Sequence, residues 1–189
     1  IQTKRGCSYK CIYCTYPVLE GRTVRTRDAV QVVDELEAHC RERNVDFFFF
    51  VDNVFNLPEW HARAIAEEIL RRDLRIKWTA YASPAGCSRE LLEVMRRSGC
   101  QSLDFGTDAF CDAQLVRMGK SFDSAQVFAV TDWCHQLGIR FNHSLIFGGP
   151  GESWATVEET VANVVKSAAN AVIAIIGVRI YRDTAISRL

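Results

Sequence analysis

Three cysteines fall close together near the start of the chain, in the run Cys7-Ser8-Tyr9-Lys10-Cys11-Ile12-Tyr13-Cys14. The C-x3-C-x2-C spacing delivers three thiolates from one loop. Soft sulfur ligands of this kind suit an iron–sulfur cluster. The run lacks a fourth cysteine, so one iron keeps an open position at which a reactive group can bind. Structural zinc would need four protein ligands, and no second Cys pair or close Cys–His pair supplies them. A closed cluster that only transfers electrons would need a fourth ligand from elsewhere in the chain.

Something must hold that loop, and the rest of the sequence reads as a repeating βα frame. Apolar strand-like runs alternate with amphipathic helices, the pattern of a parallel sheet. A short first strand leads into the cysteines. A helix follows from about Arg27 to Arg43, with Val30, Val33, Leu36 and Cys40 on one face. The second strand is Asp46 to Val51, with four consecutive phenylalanines, as expected where both strand faces are covered. The next helix starts near Pro58 and carries an apolar stripe of Ala62, Ile65, Ala66 and Ile69. The third strand is Ile76 to Ala82, followed by a helix from Ser88 to Gly99. The fourth strand is Ser102 to Gly106. Asp123 and Gln126 form a capping pair for a helix that turns Val127, Val130, Cys134 and Leu137 inward and ends at Gly138. The fifth strand is Arg140 to Phe147, its helix runs from Ser153 to Ala168, and the sixth strand is Val172 to Tyr181. A closed eight-stranded barrel typically needs about 250 residues. Six strands in 189 residues predict an α/β fold, a partial (β/α)6 barrel with parallel strands.

Parallel α/β folds build sites at the carboxyl ends of their strands. Polar residues collect there: the cysteine loop, Asp52-Asn53, Ser83-Pro84, Gly106-Thr107-Asp108, Gly148 to Glu152, and Arg182-Asp183. Alternation puts Ser102, Asp104, Gly106 and Asp108 on one face of the fourth strand, and Asn142, Ser144 and Ile146 on one face of the fifth. A partly polar interior fits a solvated substrate cavity. Tyr81, Arg179 and Tyr181 reach either the cavity or the barrel packing. His143 alternates away from the interior, and His39, His61 and His135 fall on helices as surface or satisfied residues. Cys40, Cys100 and Cys134 read as core. Cys87 and Cys111 read as incidental cysteines of rim loops. The glycines around Pro150 lack the Gly-Lys-Ser/Thr ending of a phosphate loop.

Composition narrows the class. Formal net charge is zero, with 23 basic and 23 acidic residues, so no global field draws nucleic acid or an anionic membrane. The short clusters Arg22/Arg25/Arg27 and Arg71/Arg72/Arg75 read as solvated loops and helix ends. No run is long enough for a membrane helix and no signal-peptide pattern is present. Eight cysteines without other secreted features indicate a reducing, cytoplasmic setting rather than a disulfide scaffold.

The cysteine run, with an aromatic residue before its last cysteine, resembles the radical S-adenosylmethionine (radical SAM) superfamily. The wider segment from Thr3 to Cys14 resembles its cobalamin-dependent branch. The resemblance implies a 4Fe-4S cluster on Cys7, Cys11 and Cys14, with S-adenosylmethionine chelating the open iron. Reductive cleavage would give methionine and a 5′-deoxyadenosyl radical that abstracts hydrogen from a substrate. It places Tyr13 beside adenine. It places Asp52 and Asn53 where a Gly-Gly-Glu motif elsewhere holds the methionyl amino group. Gly106-Thr107-Asp108, with Leu115 and Lys120 downstream, resembles the segment near the ribose, Asp108 replacing the usual glutamate. Ser144 to Gly148 resembles the fifth-strand motif, with Ile146 against adenine. Gly177 to Tyr181 resembles the sixth-strand segment, with Ile180 at the adenine, although Arg182-Asp183-Thr184 replaces the usual Pro-Gly-Thr. The branch implies that 1–189 is the core of a longer chain with a cobalamin-binding domain before it. It also implies a flavodoxin- or ferredoxin-type reductant and a small-molecule or lipid-like substrate. The overall reaction would be methylation, rearrangement or cyclisation.

Overall fold

A computed structural model describes residues 1–189. Two short strands, β1 (Lys4–Arg5) and β2 (Arg25–Thr26), pair antiparallel and bracket the cysteine loop and a one-turn helix, α1 (Tyr16–Leu19). The chain then alternates through α2 (Ala29–Arg43), β3 (Phe47–Phe50), α3 (Glu59–Arg71), β4 (Lys77–Ala82), α4 (Arg89–Arg97) and β5 (Cys100–Asp108). It continues with α5 (Asp112–Arg117), α6 (Ser124–Leu137), β6 (Arg140–Phe147), α7 (Trp154–Ser167), β7 (Ala171–Ile176) and a 3-10 turn at Ala185–Arg188. Strands β3 to β7 form one parallel sheet in sequence order.

The helices begin and end where side chains can satisfy their free backbone groups. Asp28 accepts from the Val30 and Gln31 N–H groups to start α2, two residues later than the apolar period predicts. Asp123 accepts from the Gln126 N–H, and Gly138 closes α6 in a left-handed conformation. Ser153 and Thr156 form a reciprocal capping box on α7.

Strand alternation divides the sheet into a core face and a cavity face. Phe48, Phe50, Trp78, Ala80, Ala82, Leu103, Phe105 and Phe141 are buried under the helices. Phe50 lies 4.7 Å from Phe55 and 5.2 Å from Trp78 between ring centroids. The intervening residues of β4, β5 and β6, including Tyr81, Asp104, Gly106, Asn142, Ser144 and Ile146, face the open side of the barrel. The first strand, expected as one of six parallel strands, is not part of the parallel sheet. Its regular part pairs with β2, while Ile1 alone exchanges backbone hydrogen bonds with Phe49 of β3 and with Val51 just after it. The last strand ends at Ile176 rather than Tyr181, because Gly177 turns out of the sheet with φ of 90°. Cys87 and Cys111, expected in rim loops, are buried, at 5% and 2% exposure.

Candidate functional site

The cysteine loop is pinned from several elements. Gly6 turns the chain into it with φ of 91°, and a Cβ there would stand 2.2 Å from the Thr23 carbonyl oxygen. The Cys7 N–H donates to the Gly21 carbonyl at 3.1 Å, and the Ile12 N–H donates to Met118 at 3.1 Å. The Ile186 N–H of the terminal turn donates to Ile12 at 2.9 Å. Beneath the loop Asp52 is fully buried. It accepts from the Thr3 N–H at 2.7 Å, the Lys4 N–H at 3.2 Å and the Thr3 hydroxyl at 2.5 Å. His61 Nε2 lies 3.2 Å from that same hydroxyl.

Cys7, Cys11 and Cys14 line one cavity of about 300 Å³, and none of the other five cysteines does. Its wall carries Tyr9, Tyr13, Tyr16, Tyr81 and Phe122, and its floor carries Asp104, Gly106 and Ser144. No three Cys, His, Asp or Glu side chains converge on a point where one metal ion would sit. Zinc requires such convergence within about 2.3 Å of sulfur. In a cubane each cysteine binds a different iron, so its ligands surround a body rather than a point. Three cysteines lining one cavity from a single loop fit the ligand set of a 4Fe-4S cluster.

Lys120 stands beside Cys11. Its Nζ lies 2.6 Å from Asp108 Oδ2 and 3.8 Å from Cys11 Sγ, with the Phe122 ring centroid at 5.5 Å. Burial alone would lower the Lys120 pKa, but the Asp108 carboxylate and the Cys11 sulfur outweigh it and raise it. Burial pushes the Cys11 thiol up, and Lys120 partly opposes that shift. Burial holds Cys14 up at about 11 and Tyr9 at about 12. A buried positive charge beside the loop favours the thiolates that a cluster needs.

The residues expected at the cofactor separate into groups. Tyr13 lines the cavity and its hydroxyl donates to Asp108. Burial first, and then the Asp108 charge, raises the Tyr13 pKa. Asp108 does not simply continue the alternation of β5. The register shifts after Phe105 and Asp108 takes φ of 64°, which turns its carboxylate to Tyr13 and Lys120. Asn53 lines the cavity, accepts from Lys4 Nζ at 2.8 Å and donates to the Gly6 carbonyl at 3.3 Å. Asp52, expected beside it at the cofactor, instead spends its oxygens on the backbone and hydroxyl of the strand before the loop. Ser144 lines the cavity. Ile146 lines an adjoining groove with Ile175, Arg179 and Tyr181, and Tyr13, Cys14 and Tyr16 border both spaces. Gly148 faces Gly177, whose backbone would lie 3.4 Å from a Cβ there. Ile180 lies beyond β7, is 66% exposed and lines neither space. Helix α5 brings Lys120 back to Asp108, a meeting that the strand period does not foretell. His143 is fully buried among Phe105, Phe110 and Phe141, and Thr107 bonds its Nδ1 at 2.7 Å.

The chain is 29% identical over 177 residues to a tryptophan 2-C-methyltransferase of Streptomyces laurentii, a match covering 85% of this chain and 29% of that protein. It is 28% identical over 158 residues to the anaerobic magnesium-protoporphyrin IX monomethyl ester cyclase of Rubrivivax gelatinosus, covering 82% of this chain and 28% of the other. Among solved structures it is similar to the radical S-adenosylmethionine methyltransferase TsrM of Kitasatospora setae, with cobalamin and 4Fe-4S cluster bound. The TM-score is 0.93 and the identity 26%, over 98% of this chain and 35% of that one. The chain thus spans about a third of the length of these relatives. The model of the Radical SAM superfamily matches residues 1–164. This chain belongs to the radical SAM superfamily, whose members use a 4Fe-4S cluster and S-adenosylmethionine.

Proposed function

We propose that residues 1–189 are the cluster- and S-adenosylmethionine-binding core of a cobalamin-dependent radical SAM enzyme that alkylates a small molecule. One observation carries the reading: three cysteines, with no fourth thiol, line a single cavity. An open iron facing that cavity is what S-adenosylmethionine needs to bind. The bound cluster supplies the electron that cleaves the sulfonium. The chain's own residues position and shield. Gly6, Asn53 and Asp52 fix the loop, and Lys120 with Asp108 places a compensated charge pair beside it. Tyr13 and Ile146 border the groove assigned to adenine, and Ser144 the floor. The aromatic wall excludes water from a reactive intermediate.

The similarity to TsrM, which is solved with cobalamin, supports a cobalamin domain outside residues 1–189. Methyl transfer is favoured over cyclisation because that likeness covers 98% of this chain. No helix is long and apolar enough to cross a membrane. A low-potential donor of the flavodoxin or ferredoxin kind, in a reducing cytoplasm, completes the proposal. It leaves no role for nucleic acid.

Electron paramagnetic resonance of the anaerobically reconstituted, dithionite-reduced protein tests this reading. A 4Fe-4S signal that changes on addition of S-adenosylmethionine is expected. Cys11→Ala should lose the cluster, since two remaining cysteines rarely hold a cubane. An unchanging signal, or stoichiometric zinc without iron, would overturn the proposal.

A further inference from the structure

The cavity carries two charged side chains, Lys120 and Asp104. Lys120 is already paired with Asp108. Asp104 makes no ion pair with any Lys, Arg or His of the chain. Its Oδ1 accepts from the Ser144 hydroxyl at 2.9 Å, and its Oδ2 has no protein partner. It stands on the cavity face of β5, in register with Tyr81 of β4 and Asn142 of β6. Neither neighbour contributes a positive charge. A Cβ built on Gly106, two residues further along that face, would meet nothing within 4 Å. Glycine inside a strand weakens it and often marks a close approach by a ligand. The floor of the barrel is thus a fixed carboxylate with a free oxygen, an open space beside it, and aromatic walls formed by Tyr81 and Phe122.

Asp104 is half-buried in the cavity, and no protein cation or second donor occupies its free oxygen. The ligand that completes it carries positive charge or an N–H donor. Resting on the proposed function of this cavity, we infer that Asp104 is the specificity anchor for a substrate with an ammonium or other cationic nitrogen attached to an aromatic or apolar body. The nitrogen docks on Asp104 Oδ2, Ser144 holds the carboxylate in place, and the apolar body lies along Tyr81 and Phe122. A substrate of the same shape bearing a carboxylate is repelled by the same group.

The test uses the full-length, cluster-loaded protein with S-adenosylmethionine present and two probes of one shape and opposite charge: tryptamine and indole-3-propionate. Binding is followed by anaerobic NMR titration. The wild type is expected to prefer tryptamine by about tenfold or more, as befits a charge-assisted hydrogen bond. Asp104→Asn, which retains an acceptor for Ser144, should abolish the preference. Asp104→Glu should keep it. The inference falls if the wild type shows no preference, or if the preference survives in Asp104→Asn. It also falls if Asp104→Asn loses the S-adenosylmethionine response of the cluster signal, which would assign the carboxylate to the cofactor. If even the wild-type cluster signal ignores S-adenosylmethionine, the proposed function fails first and this inference with it.

Discussion

At the scale of single residues, buried polar groups divide into those with partners and those without. Asp52 is fully satisfied, its oxygens taken by the Thr3 and Lys4 backbone and the Thr3 hydroxyl beneath the loop. His143 is the opposite case. Its Nδ1 meets Thr107, but its Nε2 is buried without a partner. Burial among three phenylalanines drives its pKa down to about 4, so the folded protein keeps it neutral. The unfolded chain protonates it below its ordinary value of about 6.5. Between those values the unfolded state binds more protons, so stability falls as pH falls. The wild type is expected to lose about 2 kcal/mol more than His143→Gln between pH 7 and pH 5. Urea unfolding of both proteins at the two pH values measures it, and equal losses would contradict the account.

At the scale of elements, the β1–β2 pair determines where the thiols stand. Gly6 joins β1 to the loop in a conformation that side chains rarely adopt, with its Cα turned at the Thr23 carbonyl. Gly6→Ala is expected to push the start of the loop off β2 and to cut bound iron and sulfide severalfold. The far-ultraviolet circular dichroism should stay near wild type, because α2 to α7 do not depend on that turn. Full cluster loading in the variant would show that the loop closes without this contact. The same hairpin is the element that the hydrophobic pattern least reveals, since two residues per strand carry no period.

At the scale of the whole molecule, one face of the sheet makes the core and the other makes the cavity. The four phenylalanines of β3 divide between these roles: Phe48 and Phe50 are buried and Phe47 is 53% exposed. Phe50→Ala removes a ring stacked on Phe55 and edged by Trp78, and should cost about 3–5 kcal/mol. Phe47→Ala on the same strand should cost about 1 kcal/mol or less, within the range of ordinary surface changes. Denaturant midpoints measure both, and similar losses would mean that β3 is covered on both sides. The edge strand β7 is exposed along its whole length, with Ile173, Ile175 and Ile176 at 51%, 51% and 89%. A continuous apolar run therefore reads the same in a covered strand and at an uncovered edge, because the run reports propensity and not neighbours.

The sequence by itself determined the cysteine triad, the alternation of strands and helices from α2 to β7 apart from α5, most helix caps, and the polar face on which Asp104 and Ser144 stand. These depend on spacing and period, which act within a few residues. Only the tertiary structure decided that Asp52 braces the strand before the loop, that Lys120 meets Asp108 beside Cys11, and that Cys87 and Cys111 are buried. It also decided that Ile180 stands clear of the groove and that Asp104 has a free oxygen with no counter-ion. Each of these depends on which distant groups arrive at the same place, and a local pattern carries no information about distances across a dozen or more residues.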